Sequence, residues 1–147
     1  MRRTTATERK IGYWAEQIDI QAEVVRGLAS CAAGKSDECV ATLRAAADRE
    51  DATEKHAVTP GPIVPAREVL AVVLLKDGKA VEALQGFESV LTREPNRYRA
   101  VAGAMQAAER AGDTKKAAAF AERMVDQTSA ADSQRPEIAQ ARRVLGK

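Results

Sequence analysis

The chain has 147 residues, of which 45% are apolar and 30% charged, and its formal net charge is +2 at pH 7. This length suits one domain with a single core, and the near-balance of charge argues against a nucleic-acid or membrane-surface partner. No apolar run reaches the roughly 18 residues of a membrane-spanning helix, and no apolar stretch follows the basic segment 1–10, as it would in a signal peptide. We therefore expect a cytoplasmic protein, while export or truncation of a longer chain stays open.

The first predicted element is a long helix that runs from about residue 7 to Gly34. Its apolar side chains recur at intervals of three or four, from Ile11 through Trp14 and Ile18 to Ala32, and this spacing places them on one face. At 1.5 Å per residue, a helix of about 27 residues is roughly 40 Å long.

The second predicted helix opens at Ser36 and completes a hairpin over residues 7–50. Its length of about 15 residues covers only about 22 Å of the first helix, so about twelve N-terminal residues extend past it. Because an exposed apolar stripe marks an interface, we predict a homodimer through residues 11–25. Docking on the next hairpin or on upstream repeats of a longer protein stays open. The self-association candidates are Tyr13, Trp14 and Ile18.

Two cysteines, Cys31 and Cys39, flank the turn at Gly34. One interpretation is a redox pair or half of a metal site, although the seven intervening residues match no zinc or C-x-x-C spacing. The favoured interpretation is a pair of small packing residues, because a free cysteine behaves as a small hydrophobe.

Residues 51–63 are predicted to form an insertion loop, because Pro60, Gly61 and Pro62 prevent a continuous helix. The loop contains the single histidine, His56. As a general base or a ligand, this side chain would need a carboxylate or a second ligand beside it. A solvated loop histidine is the preferred interpretation. The loop itself is either a stiff spacer between hairpins or a functional segment.

Two further hairpins and a last helix are predicted after the loop. The second hairpin covers 64–93 with its turn at Gly78, and the third covers 97–127 with its turn at Gly112. A helix over 134–146 carries Ile138, Ala141 and Leu145 on one face, which suits the capping element at the end of a helical repeat array. The predicted fold is therefore all-α, with one domain over 1–147.

The helical-hairpin pattern recurs after 34 residues. Gly112 lies 34 positions after Gly78, and Ala117 lies 34 positions after Ala83. The better copy runs from Arg67-x-x-Leu70-Ala71-x-x-Leu74 through Ala83-x-x-x-Phe87 to Pro95. This resembles the tetratricopeptide repeat (TPR) pattern. Segments 58–68, 93–97 and 108–113 look like the C-terminal end of longer bacterial TPR proteins, which are mostly of undefined function. The resemblance implies an α-α superhelix of about three hairpins plus the capping helix.

The resemblance also implies a non-enzymatic scaffold that binds a peptide or protein segment on its concave face. An accessory subunit or regulatory domain of an enzyme, or a remnant self-assembly module, is the alternative. Exposed positions on the first helix of each hairpin line the groove in TPR proteins. In this chain the corresponding candidates are Glu68, Val72, Leu75, Lys76, Arg99, Gln106 and Arg110.

Motifs of catalysis and of nucleotide binding are not found in the sequence, so no catalytic residue, metal ligand or cofactor is predicted. Basic residues such as Arg93, Arg97 and Lys116 interleave with Glu94, Glu109 and Glu122. Such alternation is typical of solvated helix faces rather than of a phosphate-binding patch. We therefore expect a protein or peptide partner, and neither nucleic acid nor membrane.

Overall fold

A computed structural model describes residues 6–53, 62–132 and 135–146 of the chain. These residues form seven α-helices and contain no strand, so the all-α prediction is confirmed for them. The superhelical stacking of the hairpins stays a prediction. The helices are α1 (Ala6–Ala32), α2 (Ser36–Asp51), α3 (Ala66–Lys76), α4 (Ala80–Arg93), α5 (Tyr98–Ala111), α6 (Thr114–Gln127) and α7 (Pro136–Val144).

The helix bounds agree with the predicted hairpins to within about two residues at each end, which is the usual uncertainty of such boundaries. The long first helix has the predicted 27 residues. His56 and most of the predicted insertion loop lie outside the described residues. The predictions for that loop are therefore not addressed by the structure.

The same turn joins the two helices of each hairpin. Gly34, Gly78 and Gly112 all have φ between 76° and 79°, in the left-handed region that costs glycine nothing. In each turn the residue after the glycine donates its backbone N–H to a carbonyl five residues back, as Lys35 does to Ser30 at 3.0 Å. This is the Schellman motif, and it ends α1, α3 and α5 in the same way.

The chain divides into two compact units, residues 1–70 and 71–147, with the boundary inside α3. The prediction of a single domain over the whole chain stays a prediction.

In the first unit, α1 packs against α2. The contact face of α1 contains Ile20 and Val24, and α2 contributes Cys39 and Leu43, all four buried. A Cβ on Gly27 would lie only 2.8 Å from Leu43 Cγ. The two helix backbones therefore approach closely at this point.

The end of α2 also holds the start of α3. The buried carboxylate of Glu50 accepts a hydrogen bond from the backbone N–H of Ala66 at 2.6 Å, which satisfies one of the unpaired donors of a helix N-terminus. Arg67 donates to Asp48 at 2.6 Å and to Asp51 at 2.7 Å. These contacts fix the first turn of α3 on the end of α2.

In the second unit, α4 packs on α5, α5 on α6, and α6 on α7. The Phe87 ring of α4 is buried and lies against the α5 backbone at Gly103. Five of the eight buried residues of α5 are alanines, at positions 100, 102, 104, 107 and 108. Small side chains on α5 allow both neighbouring helices to approach it closely.

Candidate interaction surfaces

Helix α1 has a charged side that faces the end of α2. Arg49 of α2 donates to both carboxylate oxygens of Glu16, at 2.5 and 2.8 Å. Its guanidinium also lies 3.6 Å from Asp19 and 3.7 Å from Glu23. The hydrogen bonds from Arg49 lower the pKa of Glu16, and those to Glu16 raise the pKa of Arg49. Arg49 therefore lies close to three carboxylates of α1.

A second side of α1 is apolar and exposed, and we call it the outer face. Four of its side chains are large, and between 41% and 67% of each is exposed. Successive members alternate between spacings of four and three residues, which is the seam pattern of a coiled coil. The outer face comprises Trp14, Ile18, Gln21, Val25, Leu28 and Ala32, all of them exposed.

The outer face is not the face that contacts α2. At about 100° per residue, its axis lies roughly 110° around the helix from Ile20 and Val24. Exposed alanines at 15, 22 and 29 form one edge of the outer face. The charged residues of α1 between 14 and 32 lie beyond that edge. The outer face is therefore an uncharged strip about five turns long.

The structure separates the three predicted self-association residues. Trp14 and Ile18 belong to the outer face, whereas Tyr13 is partly buried and meets the Trp14 ring edge-on, with ring centroids 5.4 Å apart. Sequence reasoning assigned the exposed stripe to the part of α1 that extends past α2. Val25 and Leu28 are also exposed, although they lie well inside the hairpin, so the stripe continues along the covered part of the helix.

The candidate groove residues on α3 do not share one environment. Val72 and Lys76 are exposed as expected. The expected exposure is wrong for Glu68 and Leu75, which are only 3% and 6% exposed. Glu68 and Leu75 lie four and three positions from Val72 and therefore share its face of α3, so part of the face that carries the candidate groove is covered.

The candidate groove residues on α5 are partly engaged within the second unit. Arg110 donates to the backbone carbonyl of Leu75 at 3.0 Å, and Gln106 donates to Gln140 of α7 at 3.2 Å. Arg99 is exposed. Gln106 and Arg110 therefore bridge helices, and both also line an open depression on the second unit.

The cysteines are joined by a disulfide that links the end of α1 to the start of α2, with a Cα–Cα distance of 5.0 Å. The favoured interpretation of two free packing thiols is therefore wrong. Cys39 is fully buried, as a packing residue would be. The sequence contained a signal for this bond. Cys31 and Cys39 lie a few residues before and after the turn at Gly34, and residues in such positions face each other in a helical hairpin.

Within 6–53, 62–132 and 135–146, no three side chains of His, Cys, Asp or Glu are grouped so that they could hold a metal ion. Two open depressions lie on the second unit, one lined by Gln106, Glu109, Arg110 and Gln140 and one along α6 beside Asn96. None of the described helices is both long and apolar enough to cross a membrane.

Comparisons with known proteins do not place the chain in a family. No family model matches it, and no curated protein is significantly similar to it.

Proposed function

We propose that the chain is a non-enzymatic protein-interaction module and that the outer face of α1 is its main contact surface. The observation that carries this proposal is an exposed, uncharged strip with four large apolar side chains. Monomeric proteins seldom expose a continuous apolar patch of this kind unless it binds something. Self-association through α1, as a homodimer, is the simplest form of the proposal.

A TPR-like stack of hairpins belongs to the same proposal. Its support is the 34-residue recurrence from Gly78 to Gly112 and the identical glycine turns of the three hairpins. A peptide groove along α3 is the second candidate surface. Exposed Val72 and Lys76 support it, but it presents far less apolar surface than the outer face of α1.

The cellular location is proposed from the disulfide, because disulfides persist mainly in oxidising compartments. Because Cys31 and Cys39 are bonded to each other, we propose that the folded protein works in an oxidising environment. Trapping thiols with an alkylating reagent in intact cells tests this: unmodified cysteines support the proposal, and two alkylated cysteines contradict it.

The proposed function is tested by comparing surface variants of the purified, immobilised chain. Ile18→Glu changes the outer face, Val72→Glu changes the α3 surface, and Val81→Glu is the control on an exposed valine of α4. We expect the wild type and Val81→Glu to capture a partner, which is either another protein or further copies of the same chain. Ile18→Glu should fail to capture it. Equal retention by all variants would contradict the proposal. An enzymatic activity abolished by His56→Ala would also contradict it.

A further inference from the structure

We propose, resting on the function above, that the partner of the outer face is a second copy of the chain, paired antiparallel along α1. The alternating spacing of four and three residues from Trp14 to Ala32 is the pattern that keeps an apolar seam facing a second helix over several turns. Two identical chains that meet through this seam form a two-fold dimer, whose contact surface must be complementary to itself.

The outer face is complementary to itself in the antiparallel arrangement. Pairing about a centre near residue 23 places Trp14 opposite Ala32, so that the largest side chain of the strip meets the smallest at both ends. The same register places Ile18 opposite Leu28, and Gln21 opposite Val25. A parallel pair would instead place the two Trp14 rings against each other and bury two Gln21 side chains together.

The charges beside the outer face favour the same orientation. Asp19 and Arg26 lie beyond the alanine edge, and both are exposed. In an antiparallel pair the same edges of the two helices lie side by side, so Asp19 of each copy lies at the level of Arg26 of the other copy and on the same side of the pair, with the two alanine edges between them. In a parallel pair the alanine edge of one copy lies beside the opposite edge of the other copy, which has no charged residue to pair with Asp19 or Arg26. Opposite charges at the rim set the orientation more than the affinity.

The alanines of that edge allow the close approach that such a pair needs. Residues 15, 22 and 29 repeat every seven positions and are all exposed alanines, and small side chains at helix contacts let the backbones come together. On this edge no long side chain stands between the two helices.

The available area suits a weak but specific dimer. The four large side chains together expose roughly 400 Å² per copy, taking roughly 200 Å² for a whole large side chain. With Gln21 and the alanines, two copies bury on the order of 1,200 Å², the lower limit of stable interfaces. An interface at this limit borders on the class of weak, transient complexes, so the association is measured at micromolar concentration.

Cross-linking of introduced cysteines tests the orientation directly. The full-length variants are Ile18→Cys, Leu28→Cys and Ala22→Cys, each treated at micromolar concentration with a short bis-maleimide, which does not react with the native disulfide. In the antiparallel register, two Ile18 positions lie about 15 Å apart along the helix axis. We therefore expect Ile18→Cys and Leu28→Cys to cross-link only when the two variants are mixed. Ala22→Cys, near the two-fold axis, should cross-link alone.

Each other outcome has a defined meaning. Efficient cross-linking of Ile18→Cys alone and of Leu28→Cys alone would show a parallel pair and overturn the inference. If none of the variants cross-links above a Val81→Cys control on α4, the outer face does not bind a second copy. The inference then fails, whereas the proposed function survives if Ile18→Glu still loses a different captured protein. Retention unaffected by Ile18→Glu would contradict both.

Discussion

At Gly103 the absence of a side chain is a packing requirement. The Phe87 ring lies so close to the α5 backbone that a Cβ at position 103 would overlap it, and both residues are buried. Gly12 of α1 is the opposite case, because nothing lies within 4 Å of a Cβ placed there. The two glycines allow packing to be separated from helix propensity.

We predict that Gly103→Ala lowers the free energy of unfolding by about 1–3 kcal/mol, the usual cost of overpacking a core. Gly12→Ala, the matched control, should leave it unchanged or raise it by up to about 1 kcal/mol, since alanine is the better helix former. Urea unfolding followed by circular dichroism measures both. A Gly103→Ala variant as stable as the wild type would mean that Phe87 is not packed against α5.

Residue identity alone could not have revealed the role of Glu50. From sequence alone, a glutamate in the last turn of α2 is expected to be a solvated charge. Glu50 is instead buried and accepts a hydrogen bond from the backbone N–H of Ala66. The contact joins residues 16 positions apart in sequence, which no local pattern encodes. The same holds for Arg110, whose bond to the carbonyl of Leu75 spans 35 positions in sequence.

At the scale of elements, the helix bounds and turns were predictable because their signals are local. A glycine after an apolar run marks the end of a helix wherever it falls, and Gly34, Gly78 and Gly112 all do so. The side of α1 that packs on α2 was not predictable. Ile20 and Val24 form one apolar stripe and Ile18 and Val25 another, and periodicity does not say which stripe is buried.

The ion pair between Glu16 and Arg49 should make the α1–α2 hairpin sensitive to acid. Arg49 lowers the pKa of Glu16 in the folded state. The stabilisation is therefore present above the unfolded pKa, about 4.3, and is lost as the pH falls through the lower, folded value. We expect the wild type to lose more stability than Glu16→Gln between about pH 5 and pH 3. Denaturant midpoints at several pH values measure the difference, and parallel curves for the two proteins would refute it.

The disulfide between Cys31 and Cys39 should stabilise the same hairpin from its other end. It closes a loop with a sequence separation of 8, and constraining a loop of about nine residues in the unfolded chain contributes about 2.5 kcal/mol. We expect reduction to lower the free energy of unfolding by that amount while leaving the far-ultraviolet spectrum helical. Intact mass under non-reducing conditions is the control for the bond. If the oxidised and reduced proteins unfold at the same urea concentration, the bond contributes no stability.

At the scale of the whole molecule, the function rests on the outer face of α1. The apolar stripe could be recognised in the sequence, which also predicted that Trp14 and Ile18 need a partner. The number of turns over which the stripe stays exposed was not visible. Only the burial of Ile20 and Val24 against α2 shows that Val25 and Leu28 are left uncovered.

The most direct test of self-association through this face is the mass of the protein in solution. Light scattering over a micromolar concentration series should give a wild-type mass that rises towards twice the 15.8 kDa of one chain. Val25→Glu should remain at the single-chain mass, because it places two charges in the seam of the pair. Val81→Glu, which changes a valine of similar exposure (60% against 65%) on α4, should dimerise like the wild type. A wild-type mass that stays at 15.8 kDa at all concentrations would contradict the account, as would a dimer that Val25→Glu leaves intact.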